Sequence, residues 1–280
     1  MRLRAVVVAG FFVVGGALAC CGQASSGGVG AKVGPDATKD AQPMAAGADP
    51  SFEVATIRPS DPDHRLDGVP FGHRSVFAGM TLRFLIAFVY DVHDRQIVDA
   101  PAWIGTKRFD IVGVADTPGT PDLEQLKSME RKLLLERFGL KFHWEERKMP
   151  AYVLTVAKGG AKLARSSDVA GSPSFLGRPD VAMKGRNLTM THFAQLLQSG
   201  IMDRPVVDRT GLEGRYDFVL SWTPDQTEFG GRFPVGAETA DSPPGLFTAM
   251  PEQLGLKLSA EKDAAVKVMV VDRVEQPSPN

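Results

Sequence analysis

Cysteine is missing from everything after position 21, so Cys20 and Cys21 are the only thiols in the 280 residues. That excludes disulfides, a thiol nucleophile and a cysteine-based metal site from the body of the protein. Charge of one sign is lacking too: 32 basic residues stand against 33 acidic ones, a net charge of −1. Nucleic-acid binders usually show a strongly basic face, so no nucleic-acid partner is expected. No apolar run reaches the ~20 residues that cross a bilayer as a helix. The five histidines (His64, His73, His93, His143 and His192) form no i,i+4 pair and no H-E-x-x-H helix. His64 and His73 share a polar loop with Asp61 and Asp63, and a solvated loop outweighs a metal site there. Neither a metal nor a cofactor is expected.

What is present begins with a leader. Arg2 and Arg4 make a basic start, and the apolar run Ala5 to Ala19 carries Phe11 and Phe12 at its centre. Residues 1–19 thus read as a signal peptide. Gly16-Ala17-Leu18-Ala19-Cys20 is similar to a bacterial lipobox, which makes Cys20 the expected lipidation site. Ala17-Leu18-Ala19 also fits an ordinary A-x-A cleavage site, which would release the chain. The lipobox is favoured, and with it an exported protein of the cell envelope whose first partner is the membrane. Residues 22 to about 50 are mostly Gly, Ala, Ser and Pro, a composition that buries too little to offset its ordering entropy. The stretch 20–50 therefore reads as a flexible tether reaching roughly 30 Å.

From Ser51 onward the pattern is globular. Phe52 to Ile57 alternates as a strand stopped by Pro59, Ser75 to Ala78 follows, and Thr81 caps a helix with Leu82, Leu85, Ile86 and Val89 at helical spacing. Arg108 to Val114 alternates again. Thr120-Pro121-Asp122 opens a helix lined by Leu123, Leu126, Leu133 and Leu134 and ended by Gly139. Leu140 to Arg147 and Tyr152 to Ala157 read as a hairpin around Met149-Pro150. The second half repeats the order: a strand at 183–187, a helix capped by Thr189 or Thr191, a strand at 215–222, an apolar helix at 246–254 containing Pro251, and a hairpin of 256–259 with 266–274.

Two blocks match between the halves. Ile97-Val98-Asp99 with Arg108-Phe109-Asp110-Ile111 parallels Val206-Val207-Asp208 with Arg215-Tyr216-Asp217-Phe218. Glu136 to Phe142 parallels Glu252 to Leu258. The expected fold is therefore α+β, a tandem duplication of a small β-α-β-α-β-β module. Module 1 would span 51–163, a Ser/Pro/Gly linker 164–180 and module 2 181–277, packed as one unit with neither half stable alone.

The run Val206-Val207-Asp208-Arg209-Thr210-Gly211-Leu212-Glu213-Gly214-Arg215-Tyr216-Asp217 resembles a large uncharacterised exported family abundant in soil acidobacteria. So do Phe52 to Ser60, Leu135 to Lys141, and Tyr152-Val153-Leu154 with Lys158-Gly159-Gly160. The resemblance covers about 51–277. It implies fold and location but no reaction, because that family has no established activity; in some relatives a similar domain follows a membrane zinc peptidase of the β-lactam-sensor kind. Pro251 departs from the family's uninterrupted helix. Each half also resembles the short N-terminal domains of secretins and TonB-dependent receptors, which are protein-interaction modules.

No catalytic set is assigned. Asp208-Arg209-Thr210-Gly211 resembles the Asp-Lys-Thr-Gly loop of P-type pumps but lacks its Lys and second Thr, and its glycines suit a turn better. Asp99, Asp110, Asp208 and Asp217 recur in both halves and are the candidate functional residues. Paired acids can act as acid and base, yet a feature copied with a fold usually belongs to the fold. Trp103, Trp144 and Trp222 read as packing residues. The expected function is a non-catalytic module binding a protein or cell-wall partner; a hydrolase using the repeated aspartates and an extracytoplasmic sensory domain are the alternatives.

Overall fold

The computed structural model describes residues 42–61, 72–167, 171–231 and 242–277. The signal peptide, Cys20, most of the tether and His64 lie outside the described residues. Within them the protein is α+β and falls into two compact units, neither of which is one continuous stretch of chain.

The three-stranded unit takes 42–85, 102–140 and the end beyond 274. Alternation along β1 (Phe52–Pro59), β2 (Arg74–Thr81) and β4 (Arg108–Ala115) makes an antiparallel sheet in the order β1-β4-β2. Phe77, Phe109, Ile111 and Ala115 are buried on its inner face. A short helix, α2 (Trp103–Thr106), leads into β4 and buries Ile104. After β4 comes α3 (Leu123–Arg137), which buries Leu126, Met129, Leu133 and Leu134 at helical spacing. Its cap is Asp122 rather than Thr120. The Asp122 carboxylate accepts from the Gln125 backbone N–H at 2.8 Å, and the Gln125 side chain accepts from Asp122 N–H at 2.9 Å, a reciprocal box that Thr120 cannot close. Gly139, at φ 56°, ends the helix.

Thr120 is engaged elsewhere. Its backbone pairs with Gln42 and Met44, both at 2.8 Å, and so begins an ordered strap where a tether was expected. Gln125 donates to the Ala45 carbonyl, Ser128 to Asp49, and Lys132 to the Asp49 and Pro50 carbonyls. Met44 is buried with Ala115 and Met129. One buried methionine and these bonds fix residues 42–51, which composition alone assigns to coil.

The two-sheet unit takes 86–101 and 141–274; the division falls inside α1 (Leu82–Val89). Its frame is a pair of long antiparallel strands, β5 (Lys141–Val156) and β11 (Leu256–Arg273). Each replaces an expected hairpin. Pro150 does not turn the chain, because the ladder pairs Met149 with Ala264 and Ala151 with Glu261, leaving Pro150 opposite a bulge in β11. A proline has no N–H to contribute and is tolerated there.

Two strands too short to read from sequence complete this sheet: β3 (Ile97–Val98) runs parallel to β11 and β9 (Val206–Asp208) parallel to β5. Each half of the chain thus lends an edge strand to the long strand of the other. The second sheet has the order β6-β10-β8-β7, from β6 (Ala164–Arg165), β7 (Ser174–Arg178), β8 (Ala182–Leu188) and β10 (Tyr216–Leu220). The expected linker 164–180 therefore carries two strands. α4 (Met190–Leu196), capped by Thr189, widens into a π-turn ending at Ile201. α5 (Leu246–Ala249) likewise passes into a wide turn, Met250–Leu254, whose first turn holds Pro251. A missing N–H costs least in a first turn. Phe193, Leu197, Trp222, Leu246 and Leu256 share the core of this unit.

Candidate functional site

The recurring aspartates divide into two kinds. Asp110 on β4 accepts from the Gly79 backbone N–H at 2.7 Å, and Asp217 on β10 accepts from the Asn187 N–H at the same 2.7 Å. Gly79 (φ 67°) and Asn187 (φ 52°) are left-handed residues near the end of β2 and β8. Each stands two positions before a threonine whose hydroxyl caps the following helix: Thr81 accepts from Phe84 N–H at 3.2 Å and Thr189 from His192 N–H at 3.1 Å. One carboxylate in each unit thus clamps the bend by which a strand becomes a helix. An ionised acceptor is the strongest such clamp available.

Asp99 and Asp208 do not share a part. Asp208 closes its own turn, accepting from Thr210 N–H at 2.9 Å and from the Thr210 hydroxyl at 2.8 Å, with Thr191 at 3.3 Å. Asp99 sits at φ 57° after β3 and takes the Arg147 guanidinium at 2.7 Å. That contact opens a chain of exposed charges along β5. Arg147 also donates to Glu145 at 2.8 Å; Glu145 meets His143 Nε2 at 3.1 Å; His143 Nδ1 meets Asp272 of β11 at 2.9 Å. Donation from both ring nitrogens requires the imidazolium. Asp272 and then Glu145 hold the His143 pKa above its usual value, while Arg147 and His143 draw those of Asp99 and Glu145 down. Both carboxylates therefore favour the protonated form of His143. Sequence alternation places His143 and Glu145 on one face; the cross-strand partner Asp272 and the loop partner Asp99 are invisible without the register.

Two buried acids escaped sequence reading. Glu228 is buried and accepts from Trp222 Nε1 at 2.6 Å, with the Phe229 ring stacked on the indole. Burial raises its pKa to about 7, against the lowering effect of that bond. Trp222 is wholly buried, Trp144 is partly exposed under Lys267, and Trp103 opens α2. Glu130 on α3 has no exposed surface and no hydrogen bond to either oxygen. Burial alone lifts it to about 8. Its signal was present: it falls four residues after Leu126 and four before Leu134, on the apolar face.

Among the described residues no three His, Cys, Asp or Glu side chains are grouped to hold a metal. The concavities are shallow. About 200 Å³ lies between β1 and α3, and about 380 Å³ on the outer face of β8 and β10 beside Lys184 and Arg186. Asp110 lies in one unit and the other three aspartates in the other, and each is engaged as described.

The architecture defines a small α+β protein whose repeated acids hold its backbone and whose connected surface charges lie on a long two-strand frame. A sequence profile described as "Protein of unknown function (DUF3738)" matches residues 83–274, and the chain belongs to that family. No curated protein and no solved structure matches it.

Proposed function

We propose that this is an exported envelope protein, held to a membrane by a lipid on Cys20, that binds a protein or cell-wall partner without catalysing a reaction. The observation that carries this reading is what the recurring carboxylates do: Asp110 and Asp217 each clamp a backbone bend. An acid committed to a structural N–H is poorly placed to exchange protons with a substrate. The leader and lipobox support the location. The strap at 42–51 supports a tethered body, since it ties the end of the expected tether to α3 and Thr120. The exposed Asp272–His143–Glu145–Arg147–Asp99 chain supplies both signs of charge across β11, β5 and the end of β3, a surface that favours register and specificity in protein contacts.

A photo-crosslinking residue at position 145 or 147, in intact envelopes, tests this. Adducts with one partner, absent when the probe sits at Val54 on β1, are expected, together with loss of membrane retention in Cys20→Ser. The reading fails if the purified protein turns over an envelope substrate and Asp110→Asn or Asp217→Asn abolishes turnover while the melting curve is unchanged.

A further inference from the structure

Among the described residues, the buried polar groups of the three-stranded unit that lack a hydrogen-bond partner include both oxygens of Glu130, the Ser75 hydroxyl and His73 Nδ1. Two of them sit together at the start of β2. Ser75 pairs with Gly113 across β2 and β4, and the His73 carbonyl accepts from Ala115 N–H at 2.9 Å. His73 and Ser75 are two apart, on the inner side shared with buried Phe77. Met129 of α3 packs on Ala115 and Phe52. Met129, Lys132, Leu133 and Glu136 line the β1 side of the helix. One residue on and ~100° around the helix, Glu130 lies on the buried face of α3 with Leu126 and Leu134, away from that β1 side.

Among the described residues no charge offsets Glu130. Burial is the one cause acting on its ionisation. On α3, Lys127 and Arg131 reach Glu124, and Lys132 reaches Asp49 of the strap. On β4, Asp110 is bonded to Gly79 N–H and lies on the opposite face, while Asp116 beyond the strand accepts from Ser51 N–H. At the start of β2 stands His73. An ionised carboxylate cannot stay in such a seat unpaired; it must draw in water or leave. Leaving means moving α3, and α3 carries the strap through Gln125, Ser128 and Lys132.

We propose that Glu130 is a proton-operated latch on α3. Neutral, it keeps the helix seated on the β1-β4-β2 sheet; ionised, it admits water under α3 and releases the strap 42–51.

Hydrogen exchange on the full chain tests the latch, compared at pH 6 and pH 9 after correction for the intrinsic rate. In the wild type, protection of peptides from 42–51 and 123–137 should fall at least tenfold at the higher pH while peptides from β11 hold theirs. In Glu130→Gln and Glu130→Leu the same peptides should keep their protection at both pH values. Unchanged protection in the wild type overturns the proposal, and so does a fall in Glu130→Gln as large as the wild type's.

Discussion

At four matched spacings before a left-handed glycine the two units bury a side chain. Before Gly139 these are Glu130, Leu133, Leu134 and Phe138; before Gly255 they are Leu246, Ala249, Met250 and Leu254. Seven of the eight are apolar, and the eighth is Glu130. By contrast the clamps Asp110–Gly79 and Asp217–Asn187 agree to the same 2.7 Å. The parts that shape the backbone are alike in both units, whereas at one packing position the three-stranded unit carries an ionisable group. An ordinary core position loses stability when it carries a carboxyl, so the difference marks Glu130 more sharply than its burial alone would.

The largest effect is expected from separating the halves of the chain. β5 loses its whole ladder to β11, and β3 its parallel neighbour, when the chain ends at residue 163. A two-sided strand without its partner exposes apolar surface and unpaired backbone. The fragment 51–163 should show no cooperative thermal transition by circular dichroism. A transition as high as that of the whole chain would mean that each half folds by itself and that the exchanged strands are incidental.

Much of this comparison was legible in the sequence, and the limits have physical causes. The alternation of β1, β4 and β8 and the Thr81 and Thr189 caps could be read because burial on one face imposes a period. The long strands could not, since Met149-Pro150 carries the local chemistry of a turn, and only a bulge in a strand over a hundred residues away makes it tolerable. β3 and β9, at two and three residues, are too short for any period. The recurrence of Asp110 and Asp217 was visible, but its meaning depended on Gly79 and Asn187, which share a backbone conformation and not a residue type. Glu130 was passed over because an acid does not enter an apolar count.

Exchanging the divergent pair sharpens the contrast. Leu246→Glu should cost the two-sheet unit on the order of 4 kcal/mol at pH 8, as a carboxylate is forced among apolar side chains. Glu130→Leu should gain stability, with a definite sign against pH. An acid whose folded pKa is raised from 4.5 to about 8 binds more protons folded than unfolded. Its stabilising share is complete below 4.5 and is lost as pH rises through about 8. Glu130→Leu should therefore pull ahead of the wild type by roughly 1.4 kcal/mol per pH unit across that window, then stay level above it. Urea unfolding at pH 5, 7 and 9 measures the gap. A gap independent of pH would place the carboxyl in water and undo the contrast with Leu246.

The smallest effects test whether the two clamps are equivalent. Removing either carboxylate, Asp110→Ala or Asp217→Ala, leaves a bent N–H without its charged acceptor and should cost about 1.5–3 kcal/mol. The two values should agree closely if the carboxylates do the same work. The bend residues should not agree. Gly79→Ala places a Cβ at φ 67° and should lose about 1–2 kcal/mol. Asn187→Gly relieves that conformation but gives up the side-chain bond to the Gly171 carbonyl, so its net change should be under about 1 kcal/mol. Equal costs for Asp110→Ala and Asp217→Ala beside unequal ones at 79 and 187 would mean that the clamp has been kept and each bend fitted to it separately. A large loss from Asn187→Gly would instead make its side chain, and not the backbone bend, what Asp217 is there to hold in place.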